Sequence, residues 1–205
     1  MRSSAKLRIV RLLFSNPKTN QRLEKAMRKV VNSAFVSLDG VTADPGSWAT
    51  GYFDQESAQE AVQALRAYDG MLMGRGTYEY FADDMSKQTG PYADAINAIR
   101  KYVFSSTLGN ADWNNSTIVR DDVVAAVNEL KQQDGGDLLI YGHGRLSQTL
   151  LEHHLVDELR FSVYPLLLGR RTAGVGNGQT LPLKLVGATP YRSGVVALTY
   201  RPASG

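Results

Sequence analysis

The chain has 205 residues, 43% of them hydrophobic and 21% charged, with a formal net charge of +3 and no cysteine. That length fits one large domain or two small ones, and the missing cysteines exclude disulfides and thiolate chemistry. The three histidines, His143, His153 and His154, lack zinc-type spacing, so no metal is expected, and no apolar run approaches the roughly 20 residues of a membrane span.

Residues 1–27 carry seven basic side chains against Glu24 alone, a net of +6 that leaves the remainder at −3. Such a stretch suits a nucleic-acid or membrane-surface tail, a presequence, or an extension upstream of a start at Met27. The last reading is preferred, because Met27 directly precedes the first clear strand. The expected layout is a basic extension over 1–27 and a single domain over 28–205. The mildly acidic body argues against nucleic acid as its partner.

Lys29–Val36 reads as a central, mostly apolar strand, followed by the turn Ser37-Leu38-Asp39-Gly40. Residues 41–53 read as a loop bearing Trp48, Tyr52 and Phe53, which either pack on the core or stack on a flat heterocycle. Asp54 suits a helix N-cap, with Ala58, Ala61, Val62 and Leu65 at helical spacing behind it and Asp69-Gly70 as its end. Met71-Leu72-Met73 is a short strand. Gly74-Arg75-Gly76-Thr77 then turns the chain into a helix, adding a cation and a hydroxyl to open backbone amides. Residues 82–92 read as a polar loop. A helix through Ala93, Ile96 and Ile99 leads to the strand Lys101–Phe104, which ends in Ser105-Ser106-Thr107.

Thr117–Val119 is a short strand, and Asp121 or Asp122 caps the helix after it. The buried strand Asp137–Ile140 runs into Gly142-His143-Gly144-Arg145-Leu146, where a second helix starts. Two glycines before a helix start suit a pyrophosphate seat or an ordinary tight turn. From Asp157 on the pattern alternates: strands around Leu159–Val163, Leu183–Val186 and Val195–Tyr200 with no helix between them read as antiparallel. The whole is an α/β sheet, parallel first and antiparallel at the end. Ligands of open α/β sheets sit at strand carboxyl ends, where three phosphate-friendly segments fall. The Gly-x-Gly-x-x-Gly fingerprint is absent after the first strand.

Five motifs carry a resemblance: Ser37-Leu38-Asp39-Gly40, Met73-Gly74-Arg75-x-Thr77-Tyr78-Glu79, Lys101–Leu108, Gly142-x-Gly-Arg145-Leu146, and Asp157-Glu158-Leu159-Arg160 running to Pro165 and Gly169. Over about residues 28–200 the chain resembles the dihydrofolate reductase superfamily, most closely the branch with the reductase domain of riboflavin biosynthesis proteins, the RibD C-terminal type. The resemblance implies a three-layer fold with helices on both faces of a mostly parallel sheet. It implies NADPH across the strand ends, with backbone at Phe35 and near Thr42 on the carboxamide and Gly74, Arg75 and Thr77 on phosphate. Ser106 and Thr107 would meet the 2′-phosphate beside Arg75, and Gly142, His143, Gly144, Arg145 and Leu146 the pyrophosphate, His143 through its backbone. The implied reaction is hydride transfer to a small heterocycle, pterin- or folate-like or pyrimidine-ribityl-like, in a cytoplasmic homodimer. Asp39 and Asp54 are the candidates to manage a proton, each with an alternative role in its turn or helix cap. Trp48, Tyr52, Phe53 and Ser162 would line the substrate side. The basic stretch Gly169–Gly176 departs from the family's Gly-rich, apolar-aromatic ending, and the zinc ligands of a deaminase are absent. The substrate therefore stays open, and a non-catalytic nucleotide-binding protein of the same fold is the alternative.

Overall fold

The computed structural model describes residues 27–53, 55–169 and 180–203. Residues 1–26 and Asp54 lie outside them, and with them the basic extension and one proton-managing candidate.

The short apolar runs become strands of one eight-stranded sheet: β1 (Val30–Ser37), β2 (Tyr68–Gly74), β3 (Arg100–Phe104), β4 (Ser116–Val119), β5 (Asp137–Tyr141), β6 (Glu158–Tyr164), β7 (Leu183–Pro190) and β8 (Val196–Pro202). Their order is β4-β3-β2-β5-β1-β6-β8-β7. The pairs from β4 through β6 are parallel, and β8 is antiparallel to both β6 and β7. The helices are α1 (Gln55–Leu65), α2 (Arg75–Met85), α3 (Pro91–Ala98), α4 (Val123–Gln132) and α5 (Arg145–Glu152).

Side chains alternate across a strand, and this sorts the core into two layers. Val31, Met71, Met73, Val103 and Leu139 meet Leu65, Tyr78 and Ile96 of α1, α2 and α3. Val30, Leu72, Leu138 and Ile140 meet Val127, Leu130 and Leu150 of α4 and α5. Both faces of the central strands are thus buried, which explains their unbroken apolar runs. The fold is the three-layer, dihydrofolate reductase-like α/β arrangement that the motifs imply.

Two sequence expectations need correction, and one open alternative is decided. Asp69-Gly70 does not end α1 but lies inside β2, where Gly70 sits against Leu138, Tyr102 and Arg28: a Cβ there would come within 2.8 Å of Leu138 Cδ2. Helix α2 runs on to Met85, through the start of the expected 82–92 loop, because Phe81, Ala82 and Met85 still pack on the core. Of the two caps offered for α4, Asp122 is the one used, accepting from the Ala125 amide at 2.8 Å.

Fully buried cations fasten the amino ends of the strands. Arg28 pairs with Asp69 and donates to the Gly136 carbonyl at 2.6 Å. Lys131 Nζ meets Asp157 Oδ2 at 2.5 Å. Among the described residues Lys101 meets no carboxylate: its Nζ donates to the carbonyls of Asn97 (2.8 Å) and Asn114 (2.9 Å) and lies 4.3 Å from the Trp113 ring centroid. Burial lowers its pKa from the ordinary 10.5 to about 8. The folded state then gives up this proton at lower pH than the unfolded chain, so Lys101 makes stability rise with pH between those two values. The urea-midpoint advantage of the native chain over Lys101→Met should therefore be larger at about pH 10 than at about pH 7. An unchanged or shrinking difference would sink the assignment.

Candidate functional site

Strands β3, β2 and β5 are neighbours, with Gly74 opposite Phe104 and Leu72 opposite Ile140. Gly74, Ser105 and Gly142 consequently end their strands at nearly one level. Gly74 is the N-cap of α2 and offers the helix start no side-chain hydrogen bond, so the first amides of α2 have no intrahelical acceptor. Across the cleft Gly142 has φ +79°, a left-handed conformation that favours glycine. Its turn delivers the chain to Gly144, the N-cap of α5. Ser147 Oγ folds back on that cap, accepting from Gly144 N at 3.0 Å and donating to Gly144 O at 2.8 Å.

Between the two helix starts lies a cleft of about 370 Å³. Gly74, Arg75, Gly76 and Thr77 form one wall, and Gly142, Gly144, Arg145 and Leu146 the other. Leu72, Phe104, Val123 and Ile140 also line it. Two positive helix ends and two arginines on one concavity make an anion seat. Arg75 is not a lone cation: Nε meets Glu79 Oε1 at 2.7 Å and Nη1 donates to Thr107 Oγ1 at 3.1 Å. This second bond brings the predicted Arg75 and Ser106-Thr107 groups together across 32 residues of sequence.

His143 is absent from the cleft lining. Its Nδ1 lies 2.8 Å from Oδ1 of the fully buried Asn32, whose Nδ2 donates to the Gly142 carbonyl at 2.6 Å. Because Asn32 uses its amide on carbonyls, its Oδ1 accepts, and His143 carries the proton on Nδ1. Burial lowers the pKa of the ring and so favours this neutral form. Asn32 and His143 thus brace the glycine turn from beneath. Asn32 gave no sequence signal beyond being a polar residue inside an apolar run.

Beyond the cleft, around the carboxyl ends of β1 and β6, the aromatic residues converge. The Tyr164 ring lies 5.2 Å from Phe35, 5.3 Å from Trp48 and 5.5 Å from Tyr52, and Phe53 lies 5.6 Å from Phe35. Phe53 remains 48% exposed, leaving one ring face open. Phe35 pairs with Ser162 across β1 and β6, and Thr42 follows the buried Val41 in the adjoining loop. Tyr164, the hub of this cluster, reads in the sequence only as an outward position of an alternating strand.

Asp39 has a definite employment. It accepts from Ser37 Oγ at 2.5 Å and from the amides of Leu168 (3.1 Å) and Gly169 (2.8 Å). The Ser37 bond, reinforced by those amides, lowers its pKa. The carboxylate is ionised and clamps two loops, which makes it a poor proton donor near neutrality.

These features meet a family pattern. The RibD C-terminal domain model matches residues 28–197. The chain belongs to the RibD C-terminal domain family. It is 31% identical over 142 residues to the uncharacterized protein YyaP of Bacillus subtilis (strain 168), covering 66% of this chain and 75% of that protein. It is 28% identical over 145 residues to YwjB of the same organism, also uncharacterized, covering 69% and 79%. Among solved structures, a Shewanella sp. PV-4 protein provisionally assigned to riboflavin biosynthesis superposes with a TM-score of 0.68 at 20% identity, over 86% of this chain and 99% of that one. The Thermotoga maritima deaminase/5-amino-6-(5-phosphoribosylamino)uracil reductase superposes with a TM-score of 0.61 at 15% identity, over 90% of this chain and 59% of that one. This RibD-type chain therefore spans well under two thirds of the two-activity protein.

The clamp can be tested directly. Asp39→Asn should lower the melting temperature measurably, as the charge-assisted bonds to the Leu168 and Gly169 amides are weakened, while nucleotide affinity stays within about twofold. A tenfold loss of affinity at unchanged melting temperature would place Asp39 in the site instead.

Proposed function

We propose that this chain is an NADPH-dependent reductase that transfers a hydride to a small flat heterocycle of the pyrimidine-ribityl or pterin type. One observation carries the reading: two helix starts and Arg75 line a single cleft at the ends of β2 and β5, and the aromatic cluster stands at the same edge of the sheet, at the ends of the neighbouring strands β1 and β6. A dinucleotide needs both parts, anion seats for its phosphates and flat apolar surface for its rings. The residues fit NADPH: Gly74, Arg75 and Thr77 on one phosphate, Gly142, Gly144, Arg145 and Leu146 on the pyrophosphate, Ser106 and Thr107 at the ribose phosphate. When bound, the cofactor supplies the hydride. The chain's own part is to orient two rings and keep water from them, a task for Trp48, Tyr52, Phe53 and Tyr164. A cytoplasmic setting belongs to the same reading and agrees with the cysteine-free sequence; no described helix is long and apolar enough to cross a membrane.

A second reading has its own support. Of the two carboxylates offered for the proton, the one that lies among the described residues, Asp39, is held ionised by its clamp, so a nucleotide-binding protein without catalysis also fits. Loss of NADPH absorbance with dihydrofolate and with pyrimidine-ribityl substrates separates the two. Turnover of either supports the reductase, and binding without turnover supports the alternative. For the cofactor, Arg75→Ala should weaken NADPH at least several-fold, as expected when a charged hydrogen bond worth about 1.5–3 kcal/mol is lost, and change NADH little. Equal losses would refute the Arg75 role.

The antiparallel end of the sheet supports a homodimer as part of this proposal. The outer strand is β7 and not β8, which lies between β6 and β7. All eight β7 residues are exposed, with Leu183 38%, Leu185 51% and Val186 46% accessible. A second copy would cover this edge by a two-fold, self-complementary contact. Val195 is 6% exposed and packs among the aromatics, so a charge there would destabilise the fold as well as any dimer. Leu185→Asp is the cleaner probe. Light scattering should give twice 22.5 kDa for the native chain and a mass near the monomer for the variant; a native mass of one chain would end the idea.

A further inference from the structure

The loop between β3 and β4 is gripped from two sides by guanidinium groups. Arg120, the residue after β4, donates through Nη1 to the carbonyls of Ser105 (3.4 Å) and Ser106 (3.1 Å) and through Nη2 to that of Leu108 (2.6 Å). Arg75 reaches the same loop from the start of α2 through Thr107 Oγ1. Inside the loop, Ser105 Oγ accepts from the amides of Thr107 (3.3 Å) and Leu108 (3.0 Å). Three carbonyls are therefore drawn to Arg120, while Ser106 and Thr107 remain exposed.

The two arginines differ in charge balance. Arg75 is offset by Glu79 at 2.7 Å. Arg120 spends its hydrogen bonds on neutral carbonyls and forms no ion pair among the described residues. Carbonyls orient a guanidinium without cancelling its charge, so beside Ser106 and Thr107 Arg120 is a guanidinium with no carboxylate in salt-bridge contact among the described residues, although Asp121 and Asp122 follow it in the chain. A planar fork is needed to hold several carbonyls at once, and lysine cannot reproduce it.

We infer that Arg120 is the residue that makes this loop select a ribose carrying a phosphomonoester. It fixes the loop backbone behind the two hydroxyls and supplies a guanidinium held by carbonyls alone, which a phosphate dianion can engage. Arg120 acts as a positioning and specificity residue. The inference rests on the nucleotide reading above and extends it to a residue outside every sequence motif.

The test titrates the native chain, Arg120→Ala and Arg120→Lys with NADPH and NADH, followed by tryptophan fluorescence, and with adenosine 2′-monophosphate by calorimetry. Arg120→Ala should weaken NADPH and adenosine 2′-monophosphate at least about fivefold and NADH less than about twofold, with Arg120→Lys between, because lysine keeps the charge and loses the fork. The native NADPH affinity should also fall more steeply with salt than that of NADH, since exposed charges are screened. Equal loss of both dinucleotides would reduce Arg120 to a loop brace and overturn the inference, as would an unchanged NADPH affinity. A native chain that binds neither dinucleotide would overturn the nucleotide reading itself. One that binds NADPH while Arg120→Ala shows no selective loss would overturn only the role of Arg120.

Discussion

The parallel pairing of β2 with β5 sets everything at the cleft. Leu72 faces Ile140 across that pair, and two residues later stand Gly74, the last residue of β2, and Gly142, the first after β5. Because the register is fixed by apolar side chains buried on both faces, the two glycines leave the sheet together. A shift of one residue would turn Leu72 and Ile140 away from α4 and α5 and move one turn along the strand axis. The two helix starts would then no longer face each other, and neither arginine would share a cleft with the opposite turn. The anion seat thus follows from core packing several residues away.

The two ends of the sheet solve opposite problems. At the amino ends Arg28, Lys101 and Lys131 are buried, and each finds carbonyls or a carboxylate at close range. A charge buried this way gives geometry more than stability: it fixes where α3, α4 and the chain entry lie. At the carboxyl ends the polar groups that remain unspent are backbone amides at helix starts. The buried cations stand away from the cleft, and the helix starts that line it keep backbone amides available to a ligand.

The legible parts of the sequence were those governed by local rules. Alternation and short apolar runs revealed the central strands, and glycine pairs before helical spacing revealed both junctions. Long-range polar choices were not legible. Asp39 could be a proton donor or a turn residue until Leu168 and Gly169 were seen donating to it, about 130 residues away. Tyr164 reads as an outward position and Arg120 carries no sequence signal, because nothing local distinguishes a side chain facing water from one facing a distant loop. The order of the antiparallel strands is not legible either, since chain order does not reveal that β8 lies between β6 and β7.

The outer strand has one more consequence. β7 carries Lys184, shifts its register between Leu185 and Gly187, and ends at Pro190. A charge, an irregularity and a residue without an amide hydrogen each spoil the template that an open strand offers to passing chains. An edge built this way accepts one well-fitted neighbour and resists endless stacking, so crowding this protein favours finite particles over fibrils.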